Sequence, residues 1–362
     1  MQPRTHRILS AAALVLAVAG SLASPAADAS ASPSPSPSQS QSQPQSEQQS
    51  PAPAAAPAEP QPEQPTVLPA RYDEHRFFVE PVTADGKRLV LYTDTGGGLF
   101  MLSDAVERLG LAVAAPAGGG GEPPTVELPA FRPDASIPAP AAMGGRLPVM
   151  PAAQRPPFAK GWDGMLGQQW FAGRVWTFDY PGRRLLLWPG TQHPASAGAT
   201  RVSLGFRQTE GGGTLAFPRI EIVVDGEPLD VLFDTGATTV LTPAALAAVG
   251  DGGGAQRATS FVTQSVLDRW RAAHPQWRVV EAAEEGSGAA MIEVPQLTIG
   301  GQTVGPVWFT ARPDANFHGF MSQFTDRRVE GAIGGNALRH FRVTVSYPGA
   351  YAELEPAVPA AR

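Results

Sequence analysis

The chain of 362 residues contains no cysteine. Disulfides, a thiol nucleophile, thiolate metal ligands and a lipid-modified lipoprotein are therefore excluded, and the fold must be held by its core. Lysine occurs only at Lys87 and Lys160. With a net charge of -6 and no basic patch, nucleic acid is not an expected partner. No apolar run reaches the about 20 residues that span a bilayer; the one from Ile8 to about Ala23 is shorter. The six histidines fall in no H-E-x-x-H spacing, so no metal site is expected. No G-x-S-x-G elbow appears, and none of the glycine runs at 117–121, 211–213 and 252–254 is followed by Lys-Ser or Lys-Thr. Serine-nucleophile and P-loop chemistry are set aside accordingly, and no cofactor is expected.

What is present falls into distinct parts. Arg4, His6 and Arg7 precede the apolar run, and Ala27-Asp28-Ala29 or Ala29-Ser30-Ala31 follows it. That order describes a secretory signal peptide over 1–31, with an uncleaved anchor as the alternative, and places the protein in the periplasm or the extracellular medium. Residues 32–70 are mostly Ser, Pro, Gln, Ala and Glu, a composition with too little apolar side chain to offset ordering entropy, and read as a tether. Beyond it, short β-branched or aromatic runs such as Arg88–Tyr92, Ile220–Val224 and Arg342–Ser346 predict a mainly β fold. Ser103–Leu111, Pro243–Val249 and the longer Ser260–Ala273 are the helix candidates.

The folded region repeats itself. Leu91-Tyr-Thr-Asp94-Thr95-Gly96 has a counterpart in Leu232-Phe-Asp234-Thr235-Gly236-Ala237-Thr238, 140 residues on. Asp163-Gly-Met-Leu-Gly167 matches Glu330-Gly-Ala-Ile-Gly334, and Tyr180-Pro-Gly182 matches Tyr347-Pro-Gly349, both 167 residues on. The second copy thus carries about 27 extra residues between its blocks, and the Ser260–Ala273 helix is expected among them. The division is a first lobe over 71–195 and a second over 196–362.

A single Asp-Thr-Gly is an ordinary turn. Two copies at matching places, each with a downstream apolar-Gly element, resemble the retropepsin-like aspartic peptidases and, in the single-chain form, the pepsin-like enzymes. The resemblance implies a bilobal acid-protease fold with a cleft between homologous lobes. It also implies a catalytic pair, Asp94 and Asp234, acting on a peptide or protein substrate without metal or cofactor. Two carboxyls sharing one proton can deprotonate a water and polarise a carbonyl together. By the same resemblance Thr95 and Thr235 exchange hydrogen bonds between lobes, and Gly96 and Gly236 allow the tight turns. Since one chain supplies both halves, a monomer is expected.

The first motif departs from the pattern. Thr93 stands where an apolar residue is usual, and Gly97-Gly98 replace Ala or Ser and a hydroxyl residue. A non-catalytic peptide- or partner-binding protein on the same fold is therefore the alternative reading, with an envelope-tethered structural protein behind it. A flap is expected within 112–151 and 251–321. Trp162, Trp170, Trp176 and Trp188 read as core, and Asp225/Glu227 and Glu281/Glu284/Glu285 as solvated charge.

Overall fold

The computed structural model describes residues 64–116, 122–141, 143–196 and 198–357. The expected signal peptide, most of the tether and the 117–121 glycine run lie outside the described residues. The first half contributes β1 (Thr66–Val67), β2 (Ala70–Asp73), β3 (Arg76–Val79), β4 (Leu91–Thr93), β5 (Phe100–Leu102), α1 (Ser103–Leu109), β6 (Thr125–Glu127) and β7 (Arg146–Met150). It ends with β8 (Gly164–Leu166), α2 (Gln168–Phe171), β9 (Val175–Asp179) and β10 (Arg184–Leu187). The second half begins with β11 (Thr200–Ser203), β12 (Arg219–Val224), β13 (Glu227–Phe233), β14 (Thr238–Val240), α3 (Pro243–Val249), β15 (Gln256–Ala258), β16 (Ser260–Thr263) and α4 (Gln264–Ala273). There follow β17 (Val279–Val280), β18 (Met291–Val294), β19 (Leu297–Ile299), β20 (Gln302–Val304), β21 (Val307–Arg312), β22 (Gly331–Ile333), α5 (Gly335–Leu338), β23 (Phe341–Ser346) and β24 (Tyr351–Pro356).

Each half builds its own sheet around the same weave. In the first, β4 runs parallel to β8, β8 antiparallel to β5, and β5 parallel to β7. In the second, β13, β22, β16 and β21 repeat those three pairings in the same senses. The crossing leaves no room for side chains where strands meet. A Cβ on Gly164 would stand 2.4 Å from the Phe100 carbonyl oxygen, and one on Gly331 2.0 Å from that of Phe261. These glycines are set by close backbone approach rather than by turn conformation.

A third, six-stranded sheet in the order β1-β10-β9-β23-β24-β11 takes three strands from each half and joins them. At its centre Thr177 pairs with Thr344, its partner at the 167-residue offset, and their hydroxyls lie 2.7 Å apart. Residues related by the offset meet each other there, so a local twofold axis passes between them. The sheet packs on a core containing Phe77, Phe171, Phe178, Phe233 and Phe341. Trp162, Trp170 and Trp176 are buried in the same core, and the half-buried Trp188 donates its Nε1–H to Thr177 Oγ1 at 2.8 Å.

Three expectations change. Thr66–Val67 pairs with β10, and the buried Leu68 donates its N–H to Leu185 O at 2.9 Å, so β1 lies inside the span assigned to the tether. Ser260–Thr263 is a strand, not the start of a helix: its residues pair on both sides, and the helix begins at Gln264. The extra residues of the second half also lie elsewhere than expected. Met101 faces Gly164 as Val262 faces Gly331, so by strand pairing α4 holds the place of α1. The insertion is largely the β14–α3–β15 excursion directly after the Asp-Thr-Gly turn. Its helix is well specified, with the Thr242 side chain capping the Ala245 N–H, Pro243 in the first turn and Gly250 at φ 65° closing it.

Candidate active site

Both Asp-Thr-Gly turns lie at the ends of the central strands, facing one another. The downstream strand positions each: Asp94 N–H donates to Leu166 O at 3.1 Å and Asp234 N–H to Ile333 O at 3.0 Å. The Thr95 N–H donates to Thr235 Oγ1 at 3.2 Å, and the Thr235 N–H to Thr95 Oγ1 at 3.0 Å. The Thr95 hydroxyl in turn donates to Phe233 O at 2.7 Å. The four groups clamp the lobes together directly beneath the carboxyls.

Within each turn the glycine N–H reaches back to the carboxyl. Gly96 N–H lies 2.9 Å from Asp94 Oδ1, and Gly236 N–H 3.0 Å from Asp234 Oδ1. Each glycine also lies against the carboxyl of the other lobe. A Cβ on Gly96 would stand 2.6 Å from Asp234 Cγ, and one on Gly236 2.1 Å from Asp94 Cγ. Any side chain at either position would separate the pair.

The two carboxyls are each 9 % exposed and share a side-chain hydrogen bond. Burial, followed by the charge of Asp234 and that hydrogen bond, pushes Asp94 well above the usual carboxylate range, opposed by the N–H groups of Gly96 and Gly97. Burial raises Asp234 as well, opposed by the hydrogen bond from Asp94 and by the N–H groups of Gly236 and Ala237. One proton held between two such groups is the electrostatic consequence of like charges in a poorly solvated site.

The departures in the first motif have local reasons. Thr93 is fully buried and satisfied, its hydroxyl donating to Phe77 O at 2.8 Å. Gly97 is the only residue that fits its place, since a Cβ there would lie 2.5 Å from Asp94 Oδ2 and 2.9 Å from Met165 Sδ. The triple-glycine turn is backed by β8 and α2. Gly97 O accepts from Gln168 N–H at 3.1 Å, and a Cβ on Gly167 would meet Gly98 O at 2.0 Å.

Some residues near the site carried no functional signal in the sequence. Tyr92, two residues before Asp94, reaches into the second lobe. The β2–β3 turn does so as well: Glu74 O accepts from Ala258 N–H at 3.0 Å and Arg76 donates to Gln256 O at 3.1 Å. Glu284 is buried rather than solvated, because Arg312 pairs with both its oxygens at 2.7 Å and Thr239 donates to it at 2.9 Å. Asp225, Glu227 and Glu281 are exposed. Of the stretches expected to hold a flap, the first contains β6, antiparallel to β7, and the second the pairs β17–β18 and β19–β20.

No protein-family model matches the chain, and no curated protein does. Among solved structures it is similar to an aspartic proteinase from Irpex lacteus, at 12% identity over 81% of this chain and 98% of that one, with a TM-score of 0.47. It is also similar to edgp, at 13% identity over 83% and 96% of the two chains, with a TM-score of 0.42. A retropepsin-like aspartic protease from Rickettsia conorii is matched along 100% of its length by 46% of this chain, at 12% identity and a TM-score of 0.27. By its own strand pairing the chain is mainly β and bilobal, each half weaving its sheet in the same way and a third sheet joining the two.

Proposed function

We propose that the protein is an aspartic endopeptidase in which Asp94 and Asp234 form the catalytic dyad. The observation that carries the reading is the buried, hydrogen-bonded carboxyl pair with one member from each lobe. In this mechanism the ionised member takes a proton from a water as that water attacks the peptide carbonyl carbon. The protonated member gives its proton to the carbonyl oxygen, producing a neutral tetrahedral diol. Collapse returns a proton to the leaving amine and restores the shared proton. General acid–base assistance of this kind supplies about 10²–10⁴-fold each way.

The lobes are read as a tandem duplication, since the β4–β8 and β13–β22 pairings, the Asp-Thr-Gly turns and the Thr177–Thr344 contact follow its offsets. A single chain then builds the site as a monomer, on a peptide or protein substrate. Among the described residues no helix is long and apolar enough to cross a membrane. Export to the periplasm or medium follows from residues 1–31 alone, and N-terminal sequencing of the mature protein checks it. A peptide-binding protein without activity is the second reading, favoured by the absence of a hydroxyl at Gly97.

The test is cleavage of unfolded casein across pH 3 to 7 by the mature protein, Asp94→Asn and Asp234→Asn. The expected result is cleavage by the unmodified protein and loss in both variants. Activity surviving either substitution sinks the dyad. Peptide binding without cleavage by the unmodified protein establishes the second reading.

A further inference from the structure

The turn between β2 and β3 carries first-lobe residues into the second lobe, where they meet the elements around the second Asp-Thr-Gly turn. Glu74 O accepts from the Ala258 N–H at 3.0 Å. Ala258 pairs with Thr238, and the next residue, Thr259, donates its N–H to Ala237 O at 2.9 Å. The His75 carbonyl oxygen approaches Gly335, the first residue of α5, so closely that a Cβ there would stand 2.1 Å from it. Gly334, one residue earlier, lies against Ala237 itself, whose Cβ would be 2.9 Å from a Cβ on the glycine.

Glu74 and His75 hold left-handed backbone, at φ 47° and 65°, which residues other than glycine keep where contacts fix them. One of those contacts depends on a proton. Arg339 Nη1 lies 3.1 Å from His75 Nε2. A guanidinium can only donate, so Nε2 must offer a lone pair. The single proton of the neutral ring is then on Nδ1, which donates it to Tyr72 Oη at 2.7 Å. A second proton, on Nε2, would set N–H against N–H and cation against cation. Of the other charged or titrating groups facing the ring, Arg257 and His340 add to that repulsion and Glu74 opposes it. Tyr72 stays a neutral phenol, its pKa raised by burial to about 12, with Arg183 over its ring at 5.8 Å.

We propose that the β2–β3 turn is an acid-released clasp: the neutral His75 ring fastens it to Arg339, and protonation of that ring frees it and withdraws its support from the second Asp-Thr-Gly turn. The clasp stands on these contacts, while its consequence, an acid limit on cleavage set outside the dyad, rests on the peptidase reading. The direction of titration agrees, since burial and then the Arg339 charge lower the His75 pKa from 6.5 to about 4. The freed ring regains the ordinary value, so the released population grows about 20-fold between pH 5.5 and pH 3.5.

The experiment is amide hydrogen exchange on the full chain at pH 5.5 and pH 3.5, read as protection factors at Ala258 and Thr259, with casein cleavage followed over the same range. The unmodified protein should lose about 20-fold in protection at both amides on acidification. His75→Gln supplies an N–H for Tyr72 and an oxygen for Arg339 with nothing to titrate. Its protection should hold, and its kcat/KM should extend to lower pH with the value at pH 5.5 unchanged. Arg339→Gln should hold protection too, because its amide oxygen accepts from a protonated Nε2, and it decides the matter should His75→Gln not fold. Protection in the unmodified protein that is equal at the two pH values, or that falls as far in the variants, overturns the proposal. If no form cleaves casein but protection falls as stated, the peptidase reading fails and the clasp stands. If cleavage needs Asp94 and Asp234 while protection is unmoved, the reverse holds.

Discussion

Restoring the usual alanine at position 97 should damage this protein, although the sequence pattern alone would recommend it. Ala237 occupies the matching place in the second turn without conflict. At Gly97 the new Cβ would lie 2.5 Å from Asp94 Oδ2, 2.6 Å from Asp94 Cγ and 2.9 Å from Met165 Sδ. All three are well inside contact distance, so either the turn or the carboxyl must move. The turn is poorly placed to yield, because Gly97 N–H donates to Asp94 O at 3.1 Å and Gly97 O accepts from Gln168 N–H at 3.1 Å. The carboxyl is therefore expected to shift. Overpacking of this kind costs about 1–3 kcal/mol, which is a Tm lower by roughly 2–10 °C for a domain of this size. Displacing a catalytic group by about 1 Å costs on the order of 10²-fold in kcat. Differential scanning calorimetry and casein cleavage of Gly97→Ala, beside Ala237→Gly as a control that removes only one methyl, read both quantities. A Gly97→Ala protein as stable and as active as the unmodified one would refute the argument.

Two further outcomes follow from the titrating groups. Asp94 and Asp234 both have folded pKa values above the unfolded carboxylate value of 3.8, so the folded state keeps a proton that the unfolded state gives up. Their contribution to stability is fully present below pH 3.8 and is lost as pH rises through the raised values. Asp94→Asn should accordingly melt higher than the unmodified protein at pH 7, with the difference shrinking below about pH 4; a lower melting temperature at pH 7 would contradict this. His75 behaves oppositely. It lies between Tyr72 OH at 2.7 Å and Arg339 at 3.1 Å, and burial, then the Arg339 charge, lowers its pKa from 6.5 to about 4. The unfolded state binds more protons between those values, so stability should fall as pH drops from 6.5 toward 4. His75→Gln should flatten that slope in melts across the window, and an unchanged slope would remove His75 as its source.

The weave was legible because its constraints act on single residues at fixed spacing. Gly164 and Gly331 must lack a side chain where strands cross, and Thr95 and Thr235 must present a hydroxyl and an N–H to each other. The position of the insertion was not legible. Ser103 and Pro243 each begin a helix nine residues after their aspartate, so spacing equates α1 with α3. Strand pairing equates α1 with α4 instead, and only long-range partners decide it: β16 has both β21 and β22 beside it, whereas β14 has β15. Apolar periodicity likewise ran Ser260–Ala273 together, since Val262, Val266, Leu267 and Trp270 are all buried whichever element carries them. Glu284 was misread for a related reason, because its cation, Arg312, is distant in sequence.

The insertion and the first-lobe hairpin explain each other. The β14–α3–β15 excursion leaves the second turn at Thr238 and returns at Ala258, pairing only with itself in a two-stranded sheet. Two strands alone are marginal in water, so other contacts must hold it. Glu284 reaches Thr239 from within the second lobe. The second lobe also accepts the Thr242 N–H at Ala283 O, 2.8 Å away, and packs Ala283 and Met291 against Leu241 and Ala245; the first lobe adds Tyr92 at Thr238, Arg76 at Gln256, and Glu74 at Gly254 and Ala258. The β2–β3 turn adopts left-handed backbone at Glu74 and His75, with φ of 47° and 65°, to deliver them. Such conformations are costly for residues other than glycine and persist where surrounding contacts fix them. The second Asp-Thr-Gly turn is thus supported by the first lobe where its excursion leaves and returns, whereas the first turn passes straight from Gly98 into β5 and is backed by its own β8 and α2. Two turns of nearly the same sequence are thus held by different partners, while each presents its carboxyl with the same pair of backbone N–H groups.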